Sequence, residues 1–477
     1  MFPFPQLQNR GDVGAGIATQ QDAEALRKAI EAGGGTDLST LTGGAAVRVQ
    51  SIDPVLQSVI MGNPHFVLFN KLPKPQAVAT IDEWMELSAV GAHPGSSFNS
   101  EAGNIAAGQG TYNRRTGRVA FQMTRCEVTY VAMTQGAFIN LKAQENVNGT
   151  LRLLQDSELG CFEGDTAVVP EEFDGIYAQM VALNSADHII DAEGQSLSSV
   201  NAIAQAAAVI SGRGNYGIPT DLLISPLVGA DMDTNFDPAM RVALPNGQAS
   251  QRGTPVRGII TSQGDVVVTR DIYIRDENFQ LPFEVAFSAT ATANAFVPVS
   301  VAGVAAAEVS SKFAAGQAGN YYYAVTGINK FGESVVVKSA QVAVAAGDKV
   351  TLTITASAAG TETGYVIYRS RLNGTNATTD FRYVAKVAKA GATTTWVDTN
   401  REIPGTSRAY LLNLSPVHTA MTWRQMLPLT EFQLYPTAAA TVPWALLHMG
   451  YLRVSKRQHH VVIKNIVPTN AAWKPFG

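Results

Sequence analysis

The sequence predicts a mixed α+β chain that carries a separate all-β sandwich as an insertion. Two amphipathic helix patterns are the first sign. In QGAFINLKAQENVNGTLRLLQDSE (135–158), Ile139, Ala143, Val147, Leu151 and Leu154 recur at spacings of four and three. In SLSSVNAIAQAAAVIS (196–211), Leu197, Val200, Ile203, Ala207 and Ile210 share one face. Strand-like pieces around these helices are the second sign: ATIDEWMEL, RVAFQMTRCEVTYVAM and TDLLISP. The third is a change of composition over residues 300–405. YYYAVTGINKFGES, SVVVKSAQVAV, KVTLTITAS, TGYVIYRSRLNG, FRYVAKVAK and TTTWVDTN are short alternating strands with turn residues between them. That is the pattern of a small β-sandwich.

Residues 1–50 read as an N-terminal arm. QQDAEALRKAIEAGGG forms a short helix with Ala25, Leu26, Ala29 and Ile30 on one face and Gly33 as its stop. One short helix cannot make a core, so it is expected to pack on another domain or another chain. Residues 51–79 are an entry to the core, broken by Pro54, Pro64, Pro73 and Pro75. Residues 80–130 have strand chemistry on both flanks of a Gly/Ser/Ala-rich middle, which predicts a long hairpin. Such a hairpin has too little core to stand alone. It is expected to lie across a neighbouring subunit, with Trp84, Arg114, Arg115 and Arg118 as candidate inter-subunit contacts.

Residues 131–190 carry the long helix, and residues 191–300 carry the second helix and the buried strand TDLLISP. From residue 229 onward come the strand-like pieces GIITS, DVVVTRDIYI and FEVAFSATA. The sandwich occupies 301–404. In 405–477, HTAMTWRQMLPLTEFQLYP and then PWALLHMGYLRVSKRQHHVVIKNIVP read as helix-like and mixed sequence. The sandwich therefore interrupts another domain, as insertions do at exposed loop tips.

Of the 477 residues, 46% are hydrophobic and only 16% charged, against a usual charged fraction of about 25%. That balance predicts a surface largely covered by other copies. The net charge is −4 and the cations are dispersed, which argues against a basic nucleic-acid binder. The densest cluster, Lys456 to His460, reads as a solvated strand face. Two distant cysteines, Cys126 and Cys161, give no disulfide framework and fit a reducing compartment. No run approaches 18 apolar residues, so no membrane span is expected. The start, MFPFPQLQNRGDVG, lacks the blocks of a signal peptide.

Motifs that carry chemistry are missing. There is no GxxxxGK[ST], HExxH or GxSxG. GQG (108–110) and GRG (212–214) lack the rest of a dinucleotide fingerprint, and the histidines lack zinc-ligand spacing. DMDTNFD (231–237) lacks the Gly and Glu of a calcium loop. The acidic stretch GCFEGDTAVVPEEFDG (160–175) reads as a connector: Gly160 at a helix C-terminus, Gly164-Asp165 in a turn, Pro170 opening a short helix. No catalytic, cofactor or metal site is expected, and the chain does not read as an enzyme.

GCFEGDTAVVPEEFDGIYAQM resembles the segment after the long spine helix in major capsid proteins of tailed phages, the Hong Kong 97 fold. Other stretches agree in order. AAVRVQSIDPVL is similar to the family's arm-to-core entry, with Gln50 where an acidic residue is frequent. The Gly-rich hairpin resembles the E-loop, with Arg125 to Ala132 as its returning strand. NYGIPTDLLISPLVGADM resembles the strand after the axial-domain helix, and YLRVSKRQHHVVIKNIV the closing strands. The resemblance covers roughly residues 45–300 and 410–470. YYYAVTGINKFGES and GYVIYRSRLNG resemble immunoglobulin-like or fibronectin-like strands, although the Tyr-rich strand precedes GYVIYRS, unlike an ordinary fibronectin module.

The resemblance implies an N-terminal arm, an E-loop hairpin, a peripheral domain with a spine helix, an axial domain and an inserted immunoglobulin-like sandwich. It implies hexamers and pentamers of the chain that close into an icosahedral virion shell around double-stranded DNA. Portal, scaffolding and decoration proteins are the implied partners, and the host cytoplasm the site of assembly. A tail or baseplate adhesin and an encapsulin-like cargo shell are the alternatives. Some relatives weld subunits through a lysine on the hairpin, but residues 81–120 contain no lysine.

Overall fold

The computed structural model describes residues 62–91, 97–103, 107–134, 140–198, 201–235, 256–276, 295–436 and 439–476. The expected helix at 20–35, the entry stretch at 45–56 and FEVAFSATA lie outside them.

Three sheets and one long helix organise the body. The helix runs Leu141–Glu163, and the Asn140 side chain caps its start by accepting from the Ala143 N–H. It packs on a three-stranded antiparallel sheet ordered Met421–Gln433, Thr441–Val454, Ala120–Thr129. The contact face differs from the expected stripe. Ala143 and Val147 are exposed and Ile139 is outside the described residues. The buried line is Gly149, Leu153, Ser157 and Cys161, at a strict spacing of four. A Cβ on Gly149 would lie 2.7 Å from Leu446 Cδ1 and 2.8 Å from Cys126 Sγ. Close approach of helix to sheet therefore selects small side chains, which a search for large apolar residues passes over.

The second sheet is mixed and six-stranded. Its order is Ile189–Asp191, Val461–Ile466, Ser407–Leu412, Asp221–Ile224, Gly264–Arg270, Gly258–Thr261. The helix Ala202–Ser211 covers it through Ala202, Ile203, Ala206, Ala207 and Ile210, close to the expected face. Residues 229–235, expected among strand-like pieces, instead belong to the helix Pro226–Asn235. Asp231 is buried there and accepts from Asn235, Ser196 and Thr469, so residues 231–235 are helix rather than an ion loop.

Two C-terminal expectations are corrected. The stretch expected to be helix-like forms the strand Met421–Gln433. Register shifts at Gln425/Leu427 and Leu427/Thr430 accommodate Pro428, as a proline in an edge strand requires. The Lys456–His460 cluster is no strand face. Arg457–His459 is a single 3₁₀ turn between two strands, with Arg457 and His460 buried.

The insertion is a β-sandwich. One sheet is Thr393–Asp398, Asp348–Thr355, Ser300–Ala307; the other is built on Tyr323–Asn329, Gly364–Ser370 and Phe381–Ala388. Tyr321, Tyr323, Leu352, Ile354, Tyr365 and Ile367 fill the space between them. The Tyr-rich strand pairs antiparallel with GYVIYRS, Tyr323 opposite Arg369.

Candidate functional site

The hairpin arm is the feature with the most unspent surface. Ile81–Ala89 pairs antiparallel with Thr111–Arg118, with Ile81 opposite Arg118 and Leu87 opposite Tyr112. Its base closes where the Val119 N–H donates to the Thr80 carbonyl. The hairpin is thus shorter than 80–130. Ala120–Thr129, which holds most of the expected returning strand, pairs with Thr441–Val454 in the body, and Tyr130–Thr134 is a short helix. Burial explains the switch: Ala120, Thr124, Cys126 and Val128 alternate inward against the long helix and its sheet.

Directly opposed residues share a face, so the ribbon has two distinct sides. One side holds Asp82, Trp84, Glu86, Asn113, Arg115 and Gly117 and rests on its own body. Asp82 receives Arg424 Nε at 2.8 Å and the Tyr451 hydroxyl at 2.6 Å. Burial works to raise the Asp82 carboxyl, but Tyr451, Arg424 and Arg453 outweigh it and hold it below its ordinary value. The other side holds Ile81, Met85, Leu87 and Tyr112, which are 60%, 80%, 55% and 71% exposed. The exposed aliphatic residues thus face outward beside Glu83, Arg114 and Arg118, while Asp82, Glu86 and Arg115 face inward with Trp84. Beyond Leu87, Val90 and Phe98 are also exposed.

The four expected contact residues divide between these sides. Trp84 faces the body, 5.6 Å from the Arg453 guanidinium, and Arg115 pairs inward with Glu86 at 3.0 Å. Arg114 lies outward, paired with Glu83, and Arg118 Nη1 donates to the Pro170 carbonyl at 3.3 Å. Sequence reasoning missed the apolar outer side, although its signal was present in the alternation of Ile81, Met85 and Leu87 with acids.

A second open surface lies on the three-stranded sheet, opposite the long helix. Phe121, Met123 and Phe432 are exposed there, with Leu447 and Met449 between them.

Four of the five carboxylates of the acidic stretch 160–175, Glu163, Asp165, Glu172 and Asp174, accept structural hydrogen bonds, and Glu171 is exposed. The helix continues past Gly160 to Glu163, and the next helix begins at Ile176 after Gly175, not at Pro170. Gly164 and Gly175 touch, with the Gly175 N–H donating to the Gly164 carbonyl. A Cβ on Gly164 would come within 2.3 Å of the Phe173 carbonyl oxygen. Glu163 is buried and accepts from Arg408 at 2.7 Å. Burial works to raise its carboxyl, but Arg408, Arg275 and Lys386 outweigh it and hold it at about 2. Asp174 accepts from the Thr166 N–H and hydroxyl, and Glu172 from the Asp165 N–H. The remaining residues form a socket. Val168 and Val169 are buried against Ala324, Ile328, Val366 and Tyr368 of the sandwich. The unexplained apolar pair in a polar loop was the signal for this docking.

Among the described residues, no group of three or more His, Cys, Asp or Glu side chains is placed to hold a metal ion, and no helix is long and apolar enough to cross a membrane.

No family model matches the chain, and no curated protein does. Solved structures similar to it include the capsid of a native GTA particle, at 8% identity over 91% of this chain and 99% of that one, TM-score 0.48. Another is from Mycobacterium phage Bobi, at 11% identity over 90% and 98%, TM-score 0.44. A third is an encapsulin complex from Synechococcus elongatus, at 8% identity over 87% and 93%, TM-score 0.36.

Proposed function

We propose that this chain is a major capsid protein, a non-catalytic subunit that assembles with copies of itself into the icosahedral head shell of a tailed phage. Hexamers and pentamers are the building units, packaged double-stranded DNA the content, and the virion the place of action. The observation that carries this reading is the hairpin's outward apolar side. A two-stranded ribbon that turns Ile81, Met85, Leu87 and Tyr112 to solvent is complete only when another surface covers it. The low charged fraction supports the same reading, as do the order of sequence stretches resembling the Hong Kong 97 family and the open face at Phe121 and Met123. A closed, symmetric assembly satisfies many copies of one such surface. Arg114, on the outward side, is the contact candidate that reaches a neighbour; Arg118 bonds the Pro170 carbonyl of its own chain, and Trp84 and Arg115 brace the arm from below.

The test is expression of the chain alone, followed by negative-stain microscopy and sedimentation. Closed shells are expected from the native sequence. Met85→Glu with Leu87→Glu should abolish them and leave a folded monomer whose melting temperature is within about two degrees, as for a surface change. A native chain that stays monomeric at high concentration would defeat the reading.

A further inference from the structure

A cavity of about 160 Å³ opens on the body where three elements meet. Phe69 and Lys74 line it from the segment before the hairpin, Leu153 and Leu154 from the long helix, Leu429 and His448 from the strands. The walls are apolar apart from Gln425, His448 and Lys74. His448 is buried, stacked on Trp423 at 5.4 Å between centroids, and its Nδ1 meets Gln122 Oε1 at 2.9 Å. The Lys74 ammonium stands 4.3 Å from the Phe69 ring centroid, on an exposed side chain. In size the cavity matches an apolar pocket of about 150 Å³ that accepts one benzene ring.

The hairpin tip has the matching chemistry. Phe98 is the only Phe, Tyr or Trp between Trp84 and Tyr112, and it is 90% exposed. Glu101 is the only Asp, Glu, Lys or Arg between Glu86 and Arg114. One ring and one carboxylate, three residues apart, match in kind a hole for one ring beside one ammonium. A lone aromatic on a bare Gly/Ser tip stabilises nothing in its own chain, because no side of it is covered.

We infer that Phe98 at the hairpin tip of one copy inserts into the Phe69–Leu153–Leu429 cavity of a second copy, with Glu101 pairing to Lys74 at the rim. This rests on the self-assembly reading and names the contact that the arm makes. The arrangement is an aromatic anchor in a pocket with a charged rim.

Two measurements test it on the full chain. A benzophenone amino acid at position 98, irradiated in assembled particles, should give covalent dimers whose cross-link maps to the peptides holding Phe69–Lys74 or Leu153–Leu154. Lys74→Glu should raise the concentration needed for assembly up to roughly fivefold per contact, the scale of an exposed ion pair. Adding Glu101→Lys should restore it. Native particles with cross-links mapping only elsewhere, or a charge swap that does not restore assembly, would overturn the knob-and-pocket contact and leave the shell reading standing. Absence of native particles would overturn both.

Discussion

The hairpin and the inserted sandwich are both antiparallel β structures, yet they solve burial in opposite ways. The sandwich turns Tyr321, Tyr323, Leu352, Ile354, Tyr365 and Ile367 onto a shared core. No residue of either hairpin strand is buried, and its best apolar side chains face out. A region that closes its own core is an independent unit. A region that does not is half of an interface. The difference lies in strand number: two strands have one pair of faces and nothing to fold over them, whereas two sheets cover one another.

The sandwich's independence has a weak point. Arg369 is fully buried and donates to Asp398 at 2.5 Å and to Asn400 Oδ1 at 2.6 Å, while the Tyr323 hydroxyl donates to Asp398 at 2.9 Å. Removing the carboxylate strands a buried guanidinium. Asp398→Ala should cost about 3–5 kcal/mol, enough to unfold the isolated sandwich (residues 299–400) at ambient temperature, as followed by circular dichroism. The same substitution in the full chain should leave the hairpin contacts intact. An Asp398→Ala sandwich that melts like the native one would show that its core does not depend on the pair.

Deleting the sandwich sharpens the comparison from the other side. Replacing residues 301–404 with a Gly/Ser linker spares the Glu163–Arg408 pair, since both partners lie outside the cut. Loop closure adds little. What is lost is the cover over Val168 and Val169, worth roughly 1.5–3 kcal/mol for each valine at most, together with the bonds of Glu402 to Tyr177 and Lys464 and of Lys386 to the Glu163 carbonyl. The deleted protein should therefore fold and melt several degrees lower. Threonines at 168 and 169 should recover its solubility. Complete loss of the body's fold would mean that the insertion is structural rather than added on.

Reading the sequence served the self-contained region better than the dependent one. The sandwich strands were visible because period-two alternation and turn residues are local signals. The hairpin's returning strand was assigned too long a course, because the partner of Ala120–Thr129 lies more than 300 residues away at Thr441–Val454. The long helix was visible as a helix but not by its face, since Gly149, Ser157 and Cys161 carry no apolar signature. The Glu163–Arg408 pair was equally hidden: charged residues 245 apart give no local sign of burial. The candidate contacts name Arg114 and Arg118 on the outer side but none of Ile81, Met85, Leu87 and Tyr112, because exposed apolar residues look like ordinary strand alternation.

The segment that leads to the hairpin is anchored on a buried carboxyl, and pH should reveal this. Glu158 is buried in the long helix and accepts the Leu68 and Phe69 N–H groups at 2.7 and 2.8 Å, fixing the segment that leads to the arm. Burial, reinforced by neighbouring Asp271, raises its carboxyl from an ordinary 4.5 to about 9. The folded state thus holds a proton that the unfolded chain releases. Its contribution is fully present below pH 4.5 and is lost as pH rises toward 9. Glu163 has the opposite sign, its contribution being lost as pH falls from 4.5 toward 2. Glu158→Gln should flatten the decline of the melting temperature between about pH 5 and pH 9. An unchanged slope would remove Glu158 from the account.

The smallest expected effect is none at all, and it concerns how the arm holds its neighbour. An amide weld from the arm would need a lysine amine as nucleophile, and residues 81–120 contain none. The arm's cations are Arg114, Arg115 and Arg118, and a guanidinium stays protonated and attacks poorly. Cys126 and Cys161 are both buried and unpaired, and burial raises both thiols. They are therefore poor thiolate donors for a bridge between copies. A contact made by the outward side would thus be apolar and ionic, and detergent is expected to reverse it. Boiled particles should run as a single band near 50.6 kDa, with or without reductant. A ladder of multimers that survives both treatments would show that the arm is covalently joined through a group other than these.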